Sequence, residues 1–93
     1  MYIILVYDIS LENPNGAKVL RNVFKICKKY LTHIQNSVFE GELTLSLLEK
    51  LKFELKEYLR DDLDSLIVFE NPQSKKLKKH FWAKVDVKTS NFF

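Results

Sequence analysis

The 93-residue chain is 46% hydrophobic and carries a formal net charge of +3. This composition predicts one folded domain instead of a disordered chain, and the mild charge permits a nucleic-acid partner without requiring one. The single cysteine, Cys27, excludes an internal disulfide and a zinc site built from several cysteines. The first hydrophobic stretch lacks the basic segment and the cleavage site of a signal peptide, so we expect a cytoplasmic protein.

A hydrophobic run at the start of the chain, from Tyr2 to Tyr7, stops at one carboxylate, Asp8. The run is too short to span a membrane and is typical of a strand buried on both faces. Asp8 is therefore expected at the carboxyl end of a central strand, where its side chain reaches the surface. A carboxylate in such a position is solvated, paired with a base, or bound to a hard cation such as Mg²⁺.

The turn-forming residues 10–16 separate this strand from a predicted helix over 17–30. Asn13 or Asn15 is the candidate N-cap of this helix, and Pro14 fits its first turn. Apolar residues recur at helical spacing and predict a broad buried face. That face consists of Ala17, Leu20, Phe24, Cys27 and Leu31, widened by Val19, Val23, Ile26 and Tyr30.

Four further strands are predicted in the rest of the chain. The segment 32–43 alternates polar and apolar residues, with a bend near Asn36 or Ser37 that divides it into two pieces. Residues 65–70 are almost continuously apolar, which predicts a buried strand. A clean alternation over 81–88 predicts an additional half-buried strand, which covers an edge of its own sheet or pairs with a second subunit.

A second amphipathic helix lies between these strands and is predicted to end near Arg60. Thr44 or Ser46 is its candidate N-cap, and Glu49 follows Ser46 at capping-box spacing. The carboxylates of residues 61–64 suggest a metal loop, but they lack the glycine and the later glutamate of an EF-hand, so we interpret them as turn and cap residues. The order of elements predicts an α+β, ferredoxin-like βαββαβ domain with both helices on one face of an antiparallel sheet and an additional C-terminal strand.

Two groups of basic residues are candidate contacts for nucleic acid. One group forms a stripe on the first helix, which is either an ordinary solvated face or a surface that faces phosphate. The other group forms a basic turn before the C-terminal strand. The predicted contacts are Lys18, Arg21, Lys25, Lys75, Lys76, Lys78 and Lys79.

Two segments of the chain resemble the second core CRISPR-associated protein family, the small subunit of the spacer-acquisition machinery. The opening segment 2–9, YIILVYDI, looks like the start of that family, and the segment 34–44, IQNSVFEGELT, is similar to its other characteristic stretch. Each motif is weak alone, but the two together at this separation are specific. The similarity spans about residues 1–69.

This resemblance implies a homodimer in which the C-terminal part of each chain, about 75–93, adds a strand to the sheet of the other subunit. It also implies that Asp8 and its symmetry mate face each other across the interface, with Mg²⁺ or Mn²⁺ between them. Some family members are described as metal-dependent endonucleases acting on single-stranded RNA or double-stranded DNA. Others bridge the CRISPR adaptation integrase around DNA without catalysis. The implied partners are therefore a second subunit, the integrase, and DNA or RNA, and no membrane.

The resemblance also suggests a role for individual residues. Asp8 is the expected metal ligand and catalytic residue, because a cation between two carboxylates relieves their repulsion and activates bound water. Ser37 is expected to position the phosphate or the metal-bound water, and Phe39 and Tyr7 to support the cleft. His33 stands where an arginine is common in the family, and we interpret it as a surface or hydrogen-bonded residue.

The chain departs from the family pattern in the loop 11–16, which contains no basic residue where many members carry several arginines. This departure weakens the case for efficient cleavage more than the case for DNA binding. Three functions stay open: a nuclease of CRISPR adaptation, a non-catalytic DNA-binding scaffold in which Asp8 is vestigial or structural, and a ferredoxin-like toxin ribonuclease. The stretch 37–41, SVFEG, favours the first two over the third.

Overall fold

The computed structural model describes residues 1–83, which contain four strands and two helices in the order βαββαβ. The strands form one antiparallel sheet in the order β2-β3-β1-β4, which confirms the α+β, ferredoxin-like prediction. The predicted strand over 81–88 lies mostly outside the described residues. The elements are β1 (Tyr2–Asp8), α1 (Gly16–Tyr30), β2 (Thr32–Gln35), β3 (Val38–Glu42), α2 (Leu45–Lys56) and β4 (Ser65–Asn71).

The central strand, β1, presents two different faces. Ile3, Leu5 and Tyr7 are buried in a core that both helices share. Ile4 and Val6 point to the opposite side of the sheet, which neither helix covers, and they are only partly buried. The prediction of a strand buried on both faces is therefore correct for the face towards the helices, whereas on the other face only Tyr2 is buried. We call this side of the sheet, which carries Ile4 and Val6 and is covered by neither helix, the open face.

The strand β4 lies at the edge of the sheet, and several of its apolar side chains are exposed. By its register with β1, Ile67 and Phe69 fall on the open face, where they are 51% and 57% exposed. The prediction of a buried strand is wrong for a single chain, because an apolar run does not show whether the surface that covers it belongs to the same chain. Large apolar side chains exposed side by side are typical of an interaction surface.

The helices begin near their predicted positions, with different caps. Asn15 occupies the N-cap of α1 without a side-chain hydrogen bond, and Pro14 precedes the helix instead of forming its first turn. Thr44 caps α2, and its Oγ1 accepts a hydrogen bond from the Leu47 backbone N–H at 3.2 Å. Ser46 lies inside α2, so the predicted capping box is wrong. Within residues 1–83, no helix is long and apolar enough to cross a membrane.

Candidate active site

Asp8 is the last residue of β1, and its side chain is exposed on the open face. Its register partner on β4 is Ser65, and the preceding residue, Tyr7, donates its backbone N–H to the Ser37 carbonyl at 3.2 Å. In the described part of the chain, the Asp8 carboxylate forms no hydrogen bond or ion pair. A carboxylate left to solvent at a strand end is available to bind a cation or a hydrogen-bond donor.

A groove of about 620 Å³ opens beside Asp8, between the end of β1, the β2–β3 turn and α1. One part of its lining is polar and carries charges of both signs, which suits a phosphate and its counterion. The other part is apolar, which a bare phosphate-binding site does not require. We call this cavity the Asp8 groove. Its polar lining is Asp8, Asn36, Ser37, Arg21 and Lys25, and its apolar lining is Tyr7, Ile9, Leu20 and Phe24.

Only some of the predicted catalytic and nucleic-acid-binding residues line the Asp8 groove. Asp8 and Ser37 come together because β1 and β3 pair, with Val6 opposite Val38 just before the β2–β3 turn. Arg21 and Lys25 reach the same groove from one exposed side of α1, whereas Lys18 does not line it.

The apolar lining from α1 is the part that the sequence analysis missed. Leu20 and Phe24 pack against the core, as their helical spacing predicts, but both are only partly buried and also line the groove. A signal was present in the sequence, because each of them directly precedes a basic residue, Arg21 or Lys25. They therefore lie where the apolar stripe of the helix meets its basic stripe.

An aromatic cluster lies beneath the Asp8 groove. The Phe39 ring is fully buried and stacks on His33 and on Tyr7, with ring centroids 4.6 and 6.0 Å apart. Phe24 meets the His33 and Phe39 rings edge-on, at 4.8 and 5.6 Å. Burial, with a smaller contribution from Cys27, raises the pKa of Tyr7 to about 12. Tyr7 therefore stays protonated at neutral pH, and both Tyr7 and Phe39 lie where a supporting role is predicted.

His33 fixes the turn that carries Ser37. It is buried, so the interpretation as a surface residue is wrong, while the interpretation as a hydrogen-bonded residue is confirmed. Its Nε2 lies 2.7 Å from the carbonyl oxygen of Asn36, which requires that this nitrogen donates. Asn36 has φ of 40°, a left-handed conformation that asparagine tolerates better than most residues. The turn between β2 and β3 is thus held from below.

One chain supplies only part of a metal site. Within residues 1–83, no three His, Cys, Asp or Glu side chains form a group that could hold a metal ion. The acidic turn 61–64 is not an exception, because Asp64 accepts hydrogen bonds from Arg60 and from the Ser10 backbone. Asp8 offers exposed oxygen atoms, which are ligands that Mg²⁺ and Mn²⁺ accept. A cation fits there if another copy of the chain, a phosphate or water supplies the remaining ligands.

The basic segment 75–79 lies away from the Asp8 groove, over the centre of the open face. Lys79 Nζ donates to the carboxylate of Glu40, which is buried and also accepts from the Tyr2 hydroxyl. Burial raises the pKa of Glu40, and the charge of Lys76 lowers it in part. The charge of Lys79 is therefore used inside the chain, whereas Lys75, Lys76 and Lys78 form no ion pair within residues 1–83.

Comparisons with known proteins agree on one family. The family model described as CRISPR associated protein Cas2 matches residues 1–79. The chain is 48% identical to a CRISPR-associated endoribonuclease Cas2 of Fusobacterium nucleatum, over 99% of this chain and 86% of that protein. It is 34% identical to a CRISPR-associated endonuclease Cas2 of Halalkalibacterium halodurans, over 94% and 92%. The crystal structure of Streptococcus pyogenes Cas2 at pH 6.5 has a TM-score of 0.70 and 30% identity, covering 84% of this chain and 100% of that one.

Proposed function

The chain belongs to the Cas2 family of CRISPR-associated proteins, and from this premise we propose that it is a metal-dependent endonuclease of CRISPR adaptation. The active site would form where two copies of Asp8 meet. The observation that carries the proposal is the state of this carboxylate. Asp8 is exposed, has no partner within residues 1–83, and lies beside two cations and a hydroxyl in one groove.

The open face supports the second copy that this site needs. It carries exposed Ile67 and Phe69 on an edge strand, and a partner sheet packed on them would remove apolar surface from water. Asp8 lies on the same face by its register on β1. Such an interface uses the same patch of both subunits, so a two-fold axis that passes through this face close to Asp8 would bring the two Asp8 carboxylates towards each other.

The charged and hydroxyl-bearing residues of the groove each have a task in this proposal. Arg21 and Lys25 bind the phosphates on either side of the cut bond. The Ser37 hydroxyl donates a hydrogen bond to a phosphate oxygen or to a water molecule, and Tyr7 stays neutral below them. A divalent cation, when bound by Asp8, would lower the pKa of a water molecule and offset charge on the phosphate. No side chain in the groove is required as a covalent nucleophile.

The apolar lining favours single-stranded RNA over duplex DNA as the substrate. Leu20 and Phe24 present apolar surface beside the two cations of the groove. An unstacked base can therefore pack on these side chains while its phosphate contacts the cations. A duplex keeps its bases stacked and makes no use of this surface. A duplex substrate is therefore the weaker alternative.

A non-catalytic DNA-binding scaffold that bridges the adaptation integrase is the second candidate. The observation that favours it is the loop between β1 and α1, where residues 11–15 are exposed and carry Glu12 as their one charged residue. Cleavage then has to rely on Arg21 and Lys25 for phosphate contacts, whereas DNA binding requires fewer basic residues near Asp8. In this role Asp8 would be dispensable.

Cleavage of labelled single-stranded RNA and duplex DNA separates the two candidates. The assay compares the unmodified protein with Asp8→Ala, with and without Mg²⁺ or Mn²⁺, after both are shown to form dimers. We expect the RNA to be cut only with metal, and we expect Asp8→Ala to lower the rate by about 100-fold or more. The matched control is Asp62→Ala, which removes an exposed carboxylate from the acidic turn.

Equal rates for the unmodified protein and Asp8→Ala, or no cleavage by either, would contradict the nuclease proposal. The scaffold would then be tested by measuring whether the dimer binds an adaptation integrase on a short duplex. Loss of activity in both variants would instead indicate damage to the fold.

A further inference from the structure

A buried ion pair lies behind Asp8 and has no part in the proposed chemistry. The Asp64 side chain has no exposed surface, and that of Arg60 is 18% exposed. Arg60 Nε and Nη2 donate to the two Asp64 oxygens at 2.9 Å each, which is a bidentate geometry. The Arg60 backbone N–H donates to the same carboxylate at 2.9 Å. The pair is therefore rigid as well as buried.

This ion pair holds both backbone groups of Ser10, which follows Asp8 by two residues. The Ser10 N–H donates to Asp64 Oδ1 at 3.0 Å, and the Ser10 carbonyl accepts from Arg60 Nη2 at 2.8 Å. The next residue after Asp64 is Ser65, the register partner of Asp8 on β4. The same ion pair thus fixes the chain on both strands next to Asp8.

Gly16, the first residue of α1, packs against the backbone of Ser10 and Leu11. A Cβ atom at Gly16 would lie 2.3 Å from the Ser10 carbonyl oxygen and 2.8 Å from Leu11 Cα. Both atoms belong to the backbone and cannot move aside as a flexible side chain does, so only glycine fits. The backbone at Ser10 is therefore hydrogen-bonded on one side and packed against a helix on the other.

We infer that Arg60, Asp64 and Gly16 are positioning residues that hold the end of β1, so that Asp8 has one fixed place on the open face. We call these three residues the clamp. Stability alone gives a weak reason for the clamp, because well-packed apolar residues often replace a buried ion pair without loss. Geometry gives a stronger one, since strand ends open easily and a displacement of about 1 Å at a reacting group is costly.

The inference rests on the proposed function for what Asp8 does, but its physical content can be tested alone. The test variant is Asp64→Asn, which keeps the side-chain shape and weakens the bidentate pair. The matched control is Glu54→Gln, which breaks the ion pair of Glu54 with Lys29, 2.5 Å long and located between the helices. Urea denaturation of both variants shows how much global stability each has lost.

The first readout is amide hydrogen exchange over residues 8–10. We expect Asp64→Asn to speed exchange there by roughly tenfold beyond its global change in stability, as for one lost hydrogen bond, and Glu54→Gln to leave it unchanged. The second readout is Mn²⁺ binding to the dimer, followed by electron paramagnetic resonance. We expect weaker binding in Asp64→Asn and unaltered binding in Glu54→Gln.

A conservative variant separates geometry from charge. Arg60→Lys keeps the positive charge but lacks the planar fork, so we expect it to behave like Asp64→Asn. It also carries the test if Asp64→Asn does not fold. If both clamp variants match Glu54→Gln in exchange and in Mn²⁺ binding, the inference is wrong.

The outcomes also distinguish this inference from the proposed function. If the unmodified protein neither cuts RNA nor binds Mn²⁺, the proposed function fails and the exchange readout alone decides whether the clamp holds the strand end. If the unmodified protein cuts RNA and binds Mn²⁺ while the clamp variants match the control, only the clamp fails.

Discussion

Two carboxylates on the open face, those of Asp8 and Glu40, have opposite surroundings. Glu40 is buried and accepts hydrogen bonds from the Tyr2 hydroxyl and the Lys79 ammonium group. Asp8 is exposed and has no partner within residues 1–83. Both are carboxylates on the same face of the sheet, and they lie on neighbouring strands. Neither residue type nor position in the sheet therefore distinguishes their roles. The difference comes from the segment after β4, which crosses the sheet at Glu40 and leaves the end of β1 open.

The cations on this side of the molecule differ in the same way. Lys79 neutralises Glu40 and so contributes to the fold, whereas Arg21 and Lys25 are exposed beside Asp8 and form no ion pair in the described part of the chain. Each of these three residues adds one positive charge to the chain, so the net charge does not distinguish them. We therefore propose that Lys79 contributes to stability and that Arg21 and Lys25 bind a ligand, and the first two of the three predictions below test this proposal.

The largest effect is expected at the Glu40 centre. Lys79→Met removes the cation that is hydrogen-bonded to the buried Glu40 carboxylate and leaves Lys76 as the remaining charge that acts on it, so we expect the free energy of unfolding to fall by about 2–3 kcal/mol. The measurement is urea denaturation, with Lys78→Met as the control because Lys78 is exposed in the same segment. RNA cleavage per folded dimer should stay unchanged. Equal midpoints for the two variants would show that Glu40 does not depend on Lys79.

The next effect is expected at the Asp8 groove. The double variant Arg21→Gln/Lys25→Gln should weaken binding of single-stranded RNA by about 1–2 kcal/mol at low salt and reduce the salt slope by about one to two. The control Lys50→Gln/Lys52→Gln changes the net charge equally on α2. An equal loss of affinity in the control would show that the net charge, and not the groove, attracts the nucleic acid.

The fold was predictable because its signals are local. The run from Tyr2 to Tyr7, the turn residues after Asp8 and the periodicity of both helices each depend on neighbours in the sequence. Once the order of elements is known, the pairing of β1 with β3 brings Ser37 next to Asp8. The strand-end position of Asp8 and the basic stripe of α1 follow from the same reasoning, whereas the roles of Asp8 and Ser37 in a site come from the resemblance to the family.

The contacts that distinguish the carboxylates were not predictable, since they join distant parts of the chain. Lys79 meets Glu40 across 39 residues, and Arg60 meets the Ser10 carbonyl across 50. No periodicity specifies such pairs, because they depend on how loops pack after the sheet has formed. The same limit explains why β4 was predicted to be buried.

Acid should weaken the clamp behind Asp8 and so provides the smallest of the three tests. The hydrogen bonds from Arg60 hold the pKa of Asp64 at about 2, below its usual value of 3.8. Because the folded state binds this proton less readily than the unfolded chain, the stabilisation is complete above about pH 5 and is lost as the pH falls towards 2. With allowance for solvent screening, it amounts to about 1 kcal/mol. Urea denaturation from pH 6 to pH 2 should therefore show a steeper loss of stability in the unmodified protein than in Asp64→Asn, whereas parallel curves would mean that Asp64 does not stabilise the end of β1.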